Sequence, residues 1–233
     1  MARTKKTPQP PPPKATPRRE VPAPPWATKD WVFGSIQKYL VHQATHMEWV
    51  LPPFQREVVW TPEQQVGFCN TVCAGLPTPF ILVWRRHNAE GESVRLVLDG
   101  QQRLTALGAT VHRADGSVNP PPRAYFDIKA GCFTTEPGRW ALTMRDISHL
   151  RAVEFFKRSG ELEAAGDWEG YDLWENTIYA IDQMSVRDVP VFEIDSRAPV
   201  EYVINAFRAI NHPGTPFDAA EIERLIQTAA DFK

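Results

Sequence analysis

Five consecutive residues, Asp99-Gly100-Gln101-Gln102-Arg103, stand between an apolar run, Leu96-Val97-Leu98, and a helical pattern that opens with Leu104. An Asp-Gly pair is enough to make a turn, and a turn has no use for two glutamines and an arginine beside it. Where a strand runs straight into a helix, the first backbone amides of the helix lack acceptors, and together with the dipole they favour an anion. Arg103 adds a fork of donors suited to phosphate oxygens, and Gly100 lets a ligand approach the backbone closely. Gln101 and Gln102 can each donate and accept, so either could orient a water or read a base edge. The chemistry these types support is the holding of a phosphate-bearing ligand. The alternative, a plain helix cap, leaves three long polar side chains within one turn unexplained.

Two further stretches place polar residues in unusual company. In LPPFQREVVW, residues 51–60, Gln55, Arg56 and Glu57 stand between Phe54 and Val58, with Trp60 closing the segment. Pattern alone favours an exposed bulge there over a site. In FRAINHPGTPFDAAEIERL, residues 207–225, Asn211 precedes a Pro-Gly turn, and capping that turn would be a sufficient role for it. Other constellations fall away. His42 and His46 are one helical turn apart, but Gln43 stands where a zinc peptidase needs Glu. Cys69 and Cys73 share the apolar face of a helix and read as core, so no residue set qualifies as a metal site. Neither a P-loop nor a Rossmann glycine pattern is present. The eight tryptophans are spread along the chain as core and rim.

The elements that must carry these residues follow from periodicity and capping. Thr61, Pro62 and Gln64 form a capping-box signature for a helix with Val66, Cys69, Val72 and Cys73 as its stripe and Gly75 as its end. PFILVWRR and SVRLVLD predict strands around the turn-rich HNAEGE. Asp99 is expected to cap a helix from Gly100 to about Val111. RAYFDIK and RWALTMRD predict strands, residues 150–185 are mainly helical, and DVPVFEID predicts another strand. A helix over PVEYVINAFRAI and a last one from Asp218, with Glu221 completing a second capping box, close the pattern. A short helix is expected from Ser35, and the prolines of LPPFQREVVW argue for an extended loop or edge segment. Strands and helices intermix without regular alternation, which predicts an α+β fold with a mixed sheet.

The bulk properties set limits. With 233 residues, 42% of them apolar, the chain can bury one full core. The net charge of -2 conceals an asymmetry: residues 1–20 carry six Lys/Arg and one acid, leaving 20 basic and 27 acidic residues in the rest. That balance argues against a broad basic face on DNA, whose non-specific binding rests on phosphate neutralisation. Residues 1–25 hold nine of the 22 prolines and few large apolar side chains, and are expected to be a disordered basic tail preceding a single domain over 26–233. The tail could serve as a tether for nucleic acid or an acidic partner. No apolar run approaches a membrane span or a signal peptide, and three cysteines cannot build a disulfide framework, which points to the cytoplasm.

Taken together, LPPFQREVVW, LVLDGQQRLTAL and AFRAINHPGTPFDAAEI resemble, in this order, the N-terminal domain family of GmrSD-type modification-dependent restriction proteins, within the ParB/sulfiredoxin-like superfamily. The resemblance spans about residues 31 to 230. It implies a ParB-like fold in which the D-G-Q-Q-R loop lies at a nucleotide-phosphate site. It also implies NTP binding and hydrolysis, with Mg²⁺ arriving as the NTP complex, and action on DNA in defence against modified phage DNA. Carried over, Asp99, Gln102, Arg103 and Arg56 would be catalytic, Gln102 by positioning a water. Gly100, Gln101, Gln102, Arg103, Gln55 and Asn211 would bind the nucleotide. The two-part restriction proteins add an HNH-type nuclease domain, and no H-N-H pattern occurs in this sequence, so DNA cleavage would fall to this domain or to a separate nuclease polypeptide. A ParB-like nuclease, a nucleic-acid kinase, and a non-catalytic sensor or adaptor switched by nucleotide remain open alternatives.

Overall fold

The computed structural model describes residues 32–35, 48–52, 59–88, 91–113, 116–127, 129–138, 142–149, 152–175, 188–210, 224 and 227. The strands are β1 (Val32–Ser35), β2 (Glu48–Leu51), β3 (Ile81–His87), β4 (Ser93–Asp99), β5 (Val111–Arg113), β6 (Tyr125–Asp127), β7 (Cys132–Thr134) and β8 (Asp188–Ile194). The helices are α1 (Pro62–Cys73), α2 (Gln101–Ala106), α3 (Met144–His149), α4 (Ala152–Ala164), α5 (168–175) and α6 (Val200–Ile210). The expected tail, the helix beyond Ser35 and the capping pair Asp218 and Glu221 lie outside the described residues.

Six strands form one sheet in the order β1-β8-β3-β4-β2-β5. The β1–β8 and β3–β4 pairs are antiparallel, whereas β8–β3, β4–β2 and β2–β5 are parallel. This is the mixed sheet of the α+β class expected from the sequence. Alternation along the strands divides the core between two faces. Ile81, Val83 and Val97 join Trp49 and Leu51 in one buried cluster, against Phe68, Cys69 and Val72 of α1 and Met144 and Ile147 of α3. Leu82, Trp84, Leu96 and Leu98 point the other way, against Val203, Ile204 and Phe207 of α6. The spacing of three and four residues on α6 is that of one apolar stripe. β6 and β7 form a separate hairpin, tied to α1 because Asn70 Nδ2 donates to the Phe133 carbonyl at 3.0 Å and Asn70 Oδ1 accepts from Phe133 N at 2.7 Å.

Local signals read from sequence are met at α1. Thr61 Oγ1 accepts from Gln64 N at 3.4 Å and Gln64 Oε1 accepts from Thr61 N at 2.9 Å, the reciprocal capping box. Gly75, at φ 67°, comes directly after its C-cap.

Three expectations are corrected. The helix after Gly100 stops at Ala106 instead of about Val111. Gly108, at φ 77°, donates to the Thr105 carbonyl and Ala109 donates to that of Leu104, a glycine-centred C-terminal motif that turns the chain into β5. RWALTMRD is not a strand over its second half: Leu142 makes a single bridge to Phe126, and Thr143 and Asp146 cap α3 through Asp146 N to Thr143 Oγ1 at 3.2 Å and Thr143 N to Asp146 Oδ2 at 2.8 Å. In LPPFQREVVW, Leu51 ends β2, an interior strand between β4 and β5, while Pro52, Val59 and Trp60 belong to neither helix nor strand, in keeping with the expected loop, and 53–58 lie outside the described residues. Ser35, expected to open a helix, ends β1.

Glu193 on β8 is buried and bridges two arginines of neighbouring strands. It accepts from Arg85 Nε at 2.7 Å and from Arg85 Nη2 through one oxygen, and from Arg95 Nε at 2.8 Å through the other. Arg85 and Arg95 are direct cross-strand partners, so the carboxylate separates two like charges that would otherwise repel. The Arg95 guanidinium also lies 5.4 Å from the centre of the Trp49 ring.

Candidate functional site

Strand directions bring the sequence motifs to one end of the sheet. β2 and β4 are parallel neighbours and finish together, and β3, antiparallel to β4, starts at that same end. The chain leaving β2 at Pro52, the D-G-Q-Q-R loop leaving β4 and the Phe80–Ile81 approach to β3 therefore share it. The Glu193 cluster lies toward the other end, four residues back along β4 at Arg95, roughly 13 Å at the usual strand rise.

Just before the loop, the β3–β4 register slips: Leu82 faces Asp99 while Val83 faces Val97, so β4 carries one extra residue. Such a bulge re-aims the chain beyond it. Gly100 comes next at φ 100° and ψ 12°, a conformation natural to glycine. A Cβ there would lie 3.0 to 3.2 Å from Cγ1, Cγ2 and Cα of buried Ile81. Gly100 is thus required by backbone and packing together.

Asp99 does not cap α2. The N-cap is Gly100, with no side-chain cap bond, and the Asp99 carboxylate turns to Arg103. Arg103 Nη2 donates to Asp99 Oδ2 at 2.6 Å and to the Phe80 carbonyl at 3.0 Å. The pair is partly buried, with side-chain exposures of 14% for Arg103 and 31% for Asp99. The guanidinium is therefore locked in place, and neither contact uses its Nε or Nη1. Arg103 Nε is buried and has no hydrogen-bond partner among the described residues, and the same holds for Gln101 Nε2, whose residue is 5% exposed. Two buried donors left open in one five-residue loop are unusual, because each such group carries a desolvation cost of about 1 to 3 kcal/mol.

Gln102 has a role the sequence did not reveal. Its Oε1 accepts from Val59 N and from Trp60 N, both at 3.1 Å, and so fastens the loop to the chain just ahead of α1. That oxygen is engaged, which argues against the expected task of orienting a water. Trp60 is held further by its ring, 5.6 Å from that of Phe68. Gln55 and Arg56, between Pro52 and Val59, lie outside the described residues, as does Asn211, the residue after the end of α6. Both ends of the segment holding Gln55 and Arg56 are nevertheless fixed, at β2 and at Gln102. Neither the Phe80 carbonyl nor the amides of Val59 and Trp60 could have been found by residue type, because backbone atoms leave no mark in a sequence.

Cys69 sits in the core with Sγ donating to the Ala106 carbonyl at 3.4 Å, and burial pushes its thiol well above the usual range. Among the described residues no group of three or more His, Cys, Asp or Glu could hold a metal ion, and no helix is long and apolar enough to cross a membrane. His42 and His46 lie outside them.

The fold and site define a class: an α+β domain with a mixed sheet and a polar, glycine-hinged loop at the end of an interior strand. Residues 36–225 match the family model described as the GmrSD restriction endonuclease, N-terminal domain, and the chain belongs to that family. The match spans all three segments that carried the resemblance. A comparison with curated proteins finds no match.

Proposed function

We propose that the chain binds a nucleoside triphosphate at the D-G-Q-Q-R loop and hydrolyses it in the course of acting on DNA, as one component of a restriction system. The observation that supports this reading is the pair of open buried donors, Gln101 Nε2 and the Nε of an Arg103 guanidinium already held by Asp99 and the Phe80 carbonyl through its Nη2. Donors without acceptors call for a ligand rich in oxygen, and a positioned arginine is the residue type best matched to phosphate. A fixed cation also stabilises charge that develops on a transferring phosphoryl group without reorganising at the moment of reaction. Arg103 is given that task. Gly100 allows the close approach, Asp99 meets the metal ion that accompanies the nucleotide, and Gln102 positions the chain that leads back to Gln55 and Arg56. Membership of a restriction endonuclease family supports DNA as the macromolecular partner.

Mg²⁺ fits as part of the substrate. A lone carboxylate suits a cation that keeps waters and takes its other oxygens from phosphates. The test is a panel of nucleoside triphosphates, with and without DNA, read for phosphate release and for nicking of supercoiled plasmid. Phosphate release that Arg103→Ala abolishes, in a variant that melts like the parent, is the expected result. Efficient nicking without nucleotide, lost in Asp99→Ala, would replace this reading with a nuclease. Binding without turnover would make the protein a nucleotide-switched sensor.

A further inference from the structure

We infer that the Asp99–Arg103 ion pair makes the loop selective for metal-bound polyphosphate and turns the metal-free anion away. The inference rests on the nucleotide reading above and specifies which form of the ligand the loop accepts. Asp99 Oδ2 lies 2.6 Å from Arg103 Nη2, and that nitrogen also donates to the Phe80 carbonyl at 3.0 Å. Any phosphate oxygen that reaches this guanidinium arrives next to a carboxylate of the same sign.

The consequences differ for the two forms of a polyphosphate. A metal-free chain that reaches Arg103 meets Asp99 as a repelling neighbour. A chain that carries a divalent cation presents Asp99 with a positive charge and a vacancy for one oxygen ligand. The carboxylate then moves from guanidinium to metal, and Arg103 exchanges its carboxylate for phosphate oxygens, so each group keeps a partner of opposite charge. Partial exposure of Asp99, 31% against 14% for Arg103, leaves the carboxylate as the more accessible half of the pair. Among the described residues no three metal-ligating side chains stand together, and Asp99 is the carboxylate placed beside Arg103 to meet a cation carried by the phosphates. The i to i+4 spacing holds Asp99 at the strand end and Arg103 on α2, so both groups are set before the ligand arrives.

A competing role for Asp99 is purely supportive: it would aim Arg103, and its loss would weaken binding of either form. The two roles predict opposite signs in one experiment. Inorganic triphosphate is titrated calorimetrically into the full chain, in Mg²⁺ and in EDTA, for the parent and for Asp99→Asn, which keeps the shape and removes the charge. The expected result is parent affinity at least about tenfold weaker in EDTA, and an Asp99→Asn variant that binds metal-free triphosphate about tenfold more tightly than the parent does in EDTA and responds to Mg²⁺ by less than about threefold. The parent arms need no variant and can still overturn the inference if the substitution fails to fold. Equal parent affinity in both media would overturn the inference while leaving the nucleotide site standing. Weaker binding by folded Asp99→Asn in EDTA would overturn it in favour of the supportive role. Failure of the parent to bind triphosphate in either medium would overturn the nucleotide reading itself.

Discussion

Replacing Gln102 separates its positioning role from any role toward water. Its Oε1 serves two backbone amides that lie 43 and 42 residues earlier in the chain, one exposed at Val59 and one partly buried at Trp60. Without the acceptor, Val59 N finds water, at a cost of about 0.5 kcal/mol, whereas Trp60 N is left poorly hydrated and costs about 1 to 2 kcal/mol. Gln102→Leu, similar in size and without an oxygen, should therefore lose about 1.5 to 2.5 kcal/mol in urea unfolding, or about 3 to 10 °C in melting temperature. Gln102→Glu keeps an oxygen in place and should fall within about 0.5 kcal/mol of the parent. Phosphate release should rank the variants in the same order, since the fastened chain leads to Arg56. Equal losses in the Leu and Glu variants, in stability or in turnover, would refute the account, because they would mean that the amide nitrogen and not the oxygen matters.

Gly100→Ala should lose about 2 to 4 kcal/mol by the same denaturation measurement, since alanine is strained at φ 100° and its methyl would press on Ile81, whose Cα is 3.2 Å away. Glu193→Gln should cost about 3 kcal/mol by leaving Arg85 and Arg95 as cross-strand neighbours without their shared carboxylate, and added salt should restore part of the loss.

How far the sequence reached depended on the kind of interaction. Thr61 and Gln64 cap each other within one helical turn, and β3 and β4 are strands joined by a short turn; both rest on local contacts and were legible. The family could be read as well, because its three segments are contiguous strings. The end of α2 was missed because the apolar pattern continues through Leu107 and Val111, while Gly108, whose Cβ would lie 2.5 Å from Cβ of Arg145, must turn there for a tertiary reason. β2 was missed because four residues with prolines just beyond them show too little alternation, and its strand character comes from neighbours supplied by β4 and β5. At the site, Asp99, Gly100 and Arg103 could be singled out by type, yet their pairing could not. A carboxylate before a helix reads as a cap until the bulge at Leu98 and the Phe80 carbonyl show that Arg103 is what it faces.

The strand order of the sheet also dictates when each part of it can assemble. Among the described strands of this sheet only β3 and β4 form a hairpin of near neighbours, and they bring together Phe80, Ile81 and Asp99, the scaffold of the loop. β2 emerges from the ribosome long before either of its partners, and Trp49 has no strand to pair with until Arg95 and Val111 have been made. β1 waits longest, since Val32 finds its register only opposite Val191. Closing such long loops slows folding and leaves apolar strands uncovered in the meantime. The hairpin that carries the D-G-Q-Q-R loop thus has its two strands close together in the chain, whereas β1 and β2 depend on partners made much later, and Gln102 fastens the chain between β2 and α1 to that hairpin.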